Sequence, residues 1–489
     1  MATFEEIRQA RLAKLNLLKS RGIDPYPANS EATHTIKEVV DSFSQLETDK
    51  TAVTVAGRVM SFRSQGGLIF FDFFDGTGKF QSLLKKEDTN EEIFNLFDQT
   101  VDIGDFIEVA GSVFVTKRGQ QTIEVTKWVM LSKSLRSLPE KWSGLQDVEE
   151  RFRRRYLDAL MSDEVRERFI IRSKIISLIR KTLDDAGYLE VETPALQPLY
   201  GGASAEPFIT HHNALDIDLY LRISPELYLK RMLVAGFPKL YEIARNFRNE
   251  GIDATHNPEF TMIEWYEAYS DYKKQMNFVQ KMVQNIVKGV FGGDTFTTYE
   301  NEINVGPDFK VISYFDILKQ YVGVEDPRNA TVEELGALAK EKGVDVIKSD
   351  SKAKILDNLY KKMARPLLIQ PTFIVDYPAE YLPLAKKKKE DPYFVEAFQL
   401  VIAGVELVKA FSELNDPVDQ RERFEEQEKN KKGGEKDAQS LDVDYLEAME
   451  YGMPSAGGVG LGIDRLVTVL TNTKNIKEVI FFPTMRPRE

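Results

Sequence analysis

The sequence predicts an α+β protein built on an antiparallel sheet, preceded by a small all-β barrel. Three observations carry this. Five short runs rich in β-branched and aromatic residues follow one another over residues 51–130, punctuated by Gly66-Gly67, Asp75-Gly76-Thr77-Gly78 and Arg118-Gly119. Such spacing is the signature of short antiparallel strands. Residues 166–489 instead alternate helices with long strands, an α+β pattern. The length, 489 residues, leaves room for two or three domains at roughly 100–200 residues each.

Composition narrows the class. Hydrophobic residues make up 42%, aromatics 11% and charged residues 29%, which excludes a disordered or fibrous chain. No stretch approaches the ~18 apolar residues of a membrane helix. The start, MATFEEIRQARLAKL, lacks the apolar core of a secretion signal, so a cytoplasmic protein is expected. With no cysteine, disulfide scaffolds, thiolate catalysis and zinc–thiolate sites fall away. A net charge of −12 means that nucleic acid, if bound, is held locally and not by the bulk field.

In chain order, residues 1–50 form a helical extension. Phe4, Ile7, Leu12, Leu15 and Leu18 recur near helical period beside the cations Arg8, Arg11, Lys14, Lys19 and Arg21. This reads as a solvated amphipathic helix, with phosphate contact as the lesser alternative. Residues 51–145 hold the five runs TAVTVAGRVMSF, GLIFFDFF, KFQSLLK, DFIEVAGSVFVT and QTIEVTKWVML. They suit a Greek-key barrel of the oligonucleotide-binding type, which stacks single-strand bases on exposed aromatics. Residues 150–161 read as a helical linker into the main domain, residues 146–489. Within it, residues 419–437 predict an exposed helix ending in a Gly433-Gly434 loop, and the run Lys386–Lys389 a solvated turn.

Two motifs mislead. MLSKS at 130–134 imitates a nucleotide-binding signature whose companion His-x-Gly-His is missing, and the run Gly458-Val459-Gly460-Leu461-Gly462 lacks the Lys-Ser/Thr of a P-loop. The informative block is LYEIARNFRNEGIDATHNPEFTMIEWYEAY, residues 240–269. It reads strand, polar loop, strand, with Glu250, Gly251, Asp253 and His256 in the loop. Period two puts Phe260, Met262, Glu264 and Tyr266 on one face. A carboxylate and a phenol there are not core chemistry, because burying Glu264 unpaired costs several kcal/mol. Arg248 adds a fork-shaped cation suited to phosphate.

FRNE (247–250) with HNPEFT (256–261), GLGIDRLV (460–467) and GYLEVETPAL (187–196) resemble motifs 2, 3 and 1 of the class II aminoacyl-tRNA synthetases. Within that class, GLQDVEERFRRRYLD, PFITHHNALD, YLRISPELYLKR, FSELNDP and FFPTMRP resemble the lysyl-tRNA synthetase family. The resemblance covers almost the whole chain. It implies an antiparallel-sheet catalytic domain at 146–489, an OB-fold anticodon-binding domain at 51–145, a homodimer formed through motif 1, and no membrane. It also implies activation of L-lysine by ATP with Mg²⁺ as cofactor, then transfer of lysine to tRNA(Lys).

By the same motif match, Arg248 and Arg465 are the catalytic cations, on the α- and γ-phosphates. Glu250, His256, Phe260 and Glu406 complete the ATP site. Gly202, Glu226, Arg248, Glu264, Tyr266, Lys409 and Glu413 would bind lysine, and Glu406 with Gln399 the metal. Phe70, Gln81 and Gln120 would contact the anticodon. Several positions depart from the pattern: Lys409 for Asn, Gln399 for an acid, Ala397 for Arg, Glu206 for Arg and Gln120 for Glu. Lys409 and Glu206, opposite in sign, are expected to pair at the pocket rim. Glu406 and Glu413 are seven apart, so both reach one face only if a bulge intervenes.

Overall fold

The computed structural model describes residues 3–139, 145–347, 350–432 and 441–488. The chain divides into two compact units, Met1–Gly144 and Leu145–Glu489.

In the first unit, β1 (Ala52–Gln65), β2 (Leu68–Phe74), β3 (Lys79–Lys85), β4 (Phe106–Val115) and β5 (Gln121–Ser132) close a five-stranded barrel in the order β1-β2-β3-β5-β4. Alternation drives closure: Ile69, Phe71 and Phe73 are buried while Leu68, Phe70, Asp72 and Phe74 face outward. A helix, Glu91–Thr100, stands between β3 and β4 where the sequence predicts strands alone. Asn90 caps it, and Phe94 and Phe97, three apart, bury one face in the barrel core. The helix Phe4–Ser20 opens on a Thr3/Glu6 capping box. It is not simply solvated. Leu18 joins the barrel core, and Arg11 donates to the carbonyls of Ile103 (2.9 Å) and Arg136 (3.1 Å). Lys14 pairs with Asp102 at 2.7 Å, so two of its cations are spent on the fold.

The second unit centres on an eight-stranded sheet. Its strands are β6 (Leu189–Glu190), β7 (Lys239–Phe247), β8 (Glu259–Ala268), β9 (Lys310–Ser313), β10 (Thr372–Val375), β11 (Ala397–Ile402), β12 (Val405–Ser412) and β13 (Ala456–Gly462). The order is β9-β10-β11-β12-β13-β8-β7-β6. Only the edge pairs β9/β10 and β7/β6 are parallel; every pairing between them is antiparallel. One face packs helices. Ile263, Trp265, Val408, Ala410, Val459 and Leu461 meet Ile175, Ile179 and Leu183 of helix Asp163–Asp185 and Val279, Met282 and Ile286 of helix Tyr272–Phe291. The alternate residues are thereby turned to the other face, where the site lies.

The structure refines three local expectations. Residues 150–161 are two short helices, Val148–Arg153 and Arg155–Met161, locked by the fully buried Arg155 against Asp158 at 2.7 Å. Lys386–Lys389 is exposed at Lys386, Lys387 and Lys389 but is tied to the fold. Lys386 donates to Asn415 at 2.7 Å, Lys387 forms an isolated bridge with Val395, and Lys388 pairs with Asp376. Helix Pro417–Lys432 is docked, with Phe424 and Gln420 fully buried; Gly433-Gly434 lie outside the described residues. Among those residues, no helix is long and apolar enough to cross a membrane.

Candidate active site

A cavity of about 340 Å³ opens on the face of the sheet away from the helices, within the usual ~300–1,000 Å³ of small-molecule sites. The hairpin β7–β8 builds one wall. Phe260, Met262, Glu264 and Tyr266 all line it, as the period-two face predicts, with Arg248, Glu250 and His256 from the loop. Glu406 and Lys409 come from β12, Arg465 from the helix Ile463–Leu470 that follows β13, and Gly202 and Glu226 from the preceding segments.

The ladder explains the floor. Tyr266, Gly458 and Phe411 form one cross-strand row, and Glu264, Gly460 and Lys409 the next. The glycines of β13 therefore sit between functional side chains. A Cβ on Gly458 would stand 2.0 Å from Glu413 Oε1 and 2.5 Å from the Tyr266 ring. Glu413 lies just behind this gap and does not line the cavity itself. β12 carries the bulge that its two acids require. Val408 opposes Leu400 but Glu406 opposes Val401, leaving Leu407 unpaired. The extra residue turns Glu406 into the pocket without displacing Lys409.

At one end, three buried carboxylates surround one internal cation. Lys230 Nζ is 2.6 Å from Glu226 and 2.5 Å from Glu413, with Phe411 beneath it at 5.3 Å. Glu264 accepts from Ser224 Oγ at 2.7 Å and Tyr266 Oη at 3.0 Å, and no cation pairs with it among the described residues. Glu413 Oε1 is buried without a hydrogen-bond donor. Burial, compounded by the charge of Glu226, pushes both Glu264 and Glu413 well above the ordinary carboxylate value of 4.5. Burial alone would lower Lys230, but Glu226 and Glu413 hold it above its ordinary value. Lys230 is the functional residue the sequence reading missed. Its signal was the four-residue spacing Glu226–Lys230 on one helix face.

The other end is cationic. The Arg248 guanidinium lies over the Phe260 ring at 5.0 Å, its buried Nε without a partner, and no carboxylate pairs with it among the described residues. Arg465 reaches His256 Nε2 at 3.3 Å and the Glu406 carbonyl at 3.4 Å. Asp464, held by Arg172 at 2.6 Å and accepting from Thr261 N–H at 2.8 Å, fixes the helix start that aims Arg465. Loss of bulk water within the cavity lowers both Arg248 and Lys409 from their ordinary values, although the Lys409 side chain still opens on the cavity.

Two expectations fail here. Gln399 does not line the cavity; it faces Lys409 across the ladder, and its Oε1 accepts from Tyr377 Oη at 2.8 Å. Lys409 makes no ion pair with Glu206 among the described residues, and Glu206 offers only its backbone carbonyl, to Asn249 N–H. In the barrel, Phe70 faces outward on β2, and Gln81 on β3 donates to Thr122 at 2.9 Å. The Thr122 hydroxyl donates to the carbonyl of exposed Gln120 at 3.1 Å.

Residues 147–486 match the family described as tRNA synthetases class II (D, K and N). The chain belongs to that family. Residues 53–131 of this class II synthetase match the OB-fold nucleic acid binding domain. It is 48% identical to the lysine–tRNA ligase of Pelotomaculum thermopropionicum over 99% of this chain and 96% of that protein. With the lysine–tRNA ligase of Bacillus subtilis it shares 46% identity over 98% of this chain and 97% of the relative.

The raised carboxylates predict a pH effect on the free synthetase. A carboxyl whose folded pKa exceeds its unfolded value binds more protons when folded, so its contribution is lost as pH rises above about 4.5. The melting temperature should therefore fall between pH 6 and 8.5, and Glu264→Gln should flatten that slope. An identical slope in the variant would separate the effect from this carboxylate.

Proposed function

We propose that this synthetase is a lysine–tRNA ligase working in the cytoplasm as a homodimer. The observation that carries the reading is the buried acid cluster of Glu226, Glu264 and Glu413 around the single ammonium of Lys230. Two of its carboxylates exceed what Lys230 neutralises, which suits a ligand bearing ammonium groups. Aspartate would be repelled, and asparagine would leave buried charges unpaired. Glu264 and Tyr266 meet the side-chain ammonium, and Glu413, behind the cavity wall, adds negative charge. Glu226, beside Gly202, takes the α-amino group.

The ligand's carboxylate then lies toward the cationic end. One carboxylate oxygen attacks the α-phosphorus of ATP in line, its new P–O bond forming as the bond to pyrophosphate breaks. Arg248 bridges the attacking carboxylate and the α-phosphate, and Arg465 holds the γ-phosphate, so charge is stabilised where it develops. Phe260 stacks the adenine, with Glu250 and His256 at the rim. In the second step the 3′-terminal hydroxyl of the tRNA attacks the adenylate carbonyl and AMP leaves.

Mg²⁺ fits here only in part. Glu406 offers one hard carboxylate oxygen, as a magnesium ion shared with nucleotide phosphates requires. Gln399, a neutral amide already engaged by Tyr377, does not suit a second ion, and no cluster of three or more metal-ligating side chains occurs among the described residues. Bound at Glu406, the ion would neutralise phosphate charge. For the dimer, the motif 1 segment carries exposed Leu189 and Leu196, with Ile170 on the preceding helix, an apolar set that a partner would cover.

Incubation with ATP, tRNA and mixed amino acids should charge the tRNA with lysine alone; charging with aspartate or asparagine contradicts the reading. In the barrel, Phe70→Ala removes a stacking face worth roughly 1–3 kcal/mol per base. It should weaken tRNA charging while leaving tRNA-free ATP–pyrophosphate exchange near normal. Equal loss of both would assign Phe70 to the fold. Gly458→Ala places a methyl against Glu413 and Tyr266 and should raise the lysine KM while sparing the ATP KM. Unchanged lysine KM would show that the wall formed by Tyr266 and Glu413 does not bear on the bound lysine.

A further inference from the structure

Lys409 is a pocket cation that no carboxylate holds at ion-pair distance among the described residues, although the charge of Glu406 acts on it from farther off. It lines the cavity on β12, its side chain is open to the cavity solvent, and no carboxylate pairs with it among the described residues. Its two ladder partners cannot neutralise it. Gly460 has no side chain, and Gln399 is uncharged with its carbonyl oxygen already accepting from Tyr377. The next carboxylate along the row, Glu264, stands two strands away, about 10 Å at ~4.8 Å per strand. Glu406 is turned into the same cavity by the bulge at Leu407, yet it forms no contact with the ammonium. The nucleotide end thus carries Arg248, Lys409 and Arg465 against Glu250 and Glu406, a surplus of fixed positive charge where a polyanion binds.

The wall that would hold a second divalent ion has one carboxylate, Glu406, and this lysine, with the engaged Gln399 amide outside the cavity lining. We propose that the Lys409 ammonium stands in for a second divalent cation at the ATP phosphates, leaving a single ion, carried with the nucleotide and held by Glu406. This rests on the ligase reading for the identity of the polyanion. A fixed ammonium donates three hydrogen bonds and cannot be chelated away. Nucleotide binding should accordingly tolerate metal removal, which a site relying on several ions would not.

The test is equilibrium dialysis of labelled ATP against the full chain, without lysine or tRNA, in excess EDTA and in saturating Mg²⁺. The unaltered protein should bind ATP in EDTA within about tenfold of its Mg²⁺ affinity. Lys409→Met should lose about tenfold or more in EDTA, the usual scale for a hydrogen bond to a charged group, and distinctly less in Mg²⁺. Lys409→Arg should retain metal-free binding. Gln399→Glu, which sets an acid beside the ammonium, should weaken it. Loss of all ATP binding by the unaltered protein in EDTA overturns the proposal without recourse to any variant. So does equal metal-free affinity in Lys409→Met, or a defect confined to the lysine KM, which would put the ammonium on the amino acid's carboxylate. Lysine-dependent exchange by the unaltered chain decides the ligase reading separately, so the two can fail independently.

Discussion

Glu264→Gln should raise the lysine KM by about 10- to 150-fold, matching the ~1.5–3 kcal/mol of a hydrogen bond to a charged group. The ATP KM should change little. Glu264 is 4% exposed, and both of its partners, Ser224 and Tyr266, are neutral hydrogen-bond donors. It therefore has no counter-charge in the free protein, where burial favours its neutral form, and a ligand ammonium would draw out its charge. Glu413→Gln should act in the same direction, but by a different balance. Lys230 would keep only Glu226 as a counter-charge, and its ammonium would then repel the ligand's. Combining the two substitutions should give a non-additive loss, since both carboxylates act on one ammonium. Equal effects on the lysine and ATP KM values would show instead that the cluster supports the fold.

Arg248→Ala should lower kcat/KM for ATP–pyrophosphate exchange by about 10²–10³, the usual cost of removing one donor aimed at developing charge. The guanidinium is held by the Phe260 ring at 5.0 Å and has no ion partner among the described residues, so its removal should leave the fold intact. Arg248→Lys should recover little. A single ammonium cannot span the attacking carboxylate and the α-phosphate as a planar fork does. Near-normal exchange in Arg248→Ala would move the catalytic cation elsewhere, with Arg465 the remaining candidate.

The hairpin at 239–268 was legible because its two strands alternate strictly and its loop is polar; the side-chain period alone places Phe260, Met262, Glu264 and Tyr266 together. What escaped depends on partners distant in sequence. Lys230 sits on an ordinary-looking helix, and its burial between two acids needs Glu413, which arrives 183 residues later by number. The requirement for a bulge near Glu406 was legible from the spacing to Glu413, but its location was not, because register belongs to two strands and not to one. Gly458 and Gly460 looked like a failed phosphate loop. Their role is steric and follows from the rows they share with Tyr266 and Glu264. The helix Glu91–Thr100 was missed because its buried apolar pair, Phe94 and Phe97, spaced for a helix and not for a strand, lies in a short segment between aromatic strands. The pairing expected of Lys409 with Glu206 rested on charge alone. The ladder instead sets Lys409 against Gln399.

On this reading, buried acids select an ammonium-bearing side chain. ATP–pyrophosphate exchange driven by lysine, by norleucine (which keeps the chain and replaces the ammonium with a methyl), by aspartate and by asparagine tests it most directly. Lysine should support exchange, and the other three should fall at the background rate even at millimolar concentration. Exchange driven by aspartate, asparagine or norleucine at a rate comparable to lysine would contradict it.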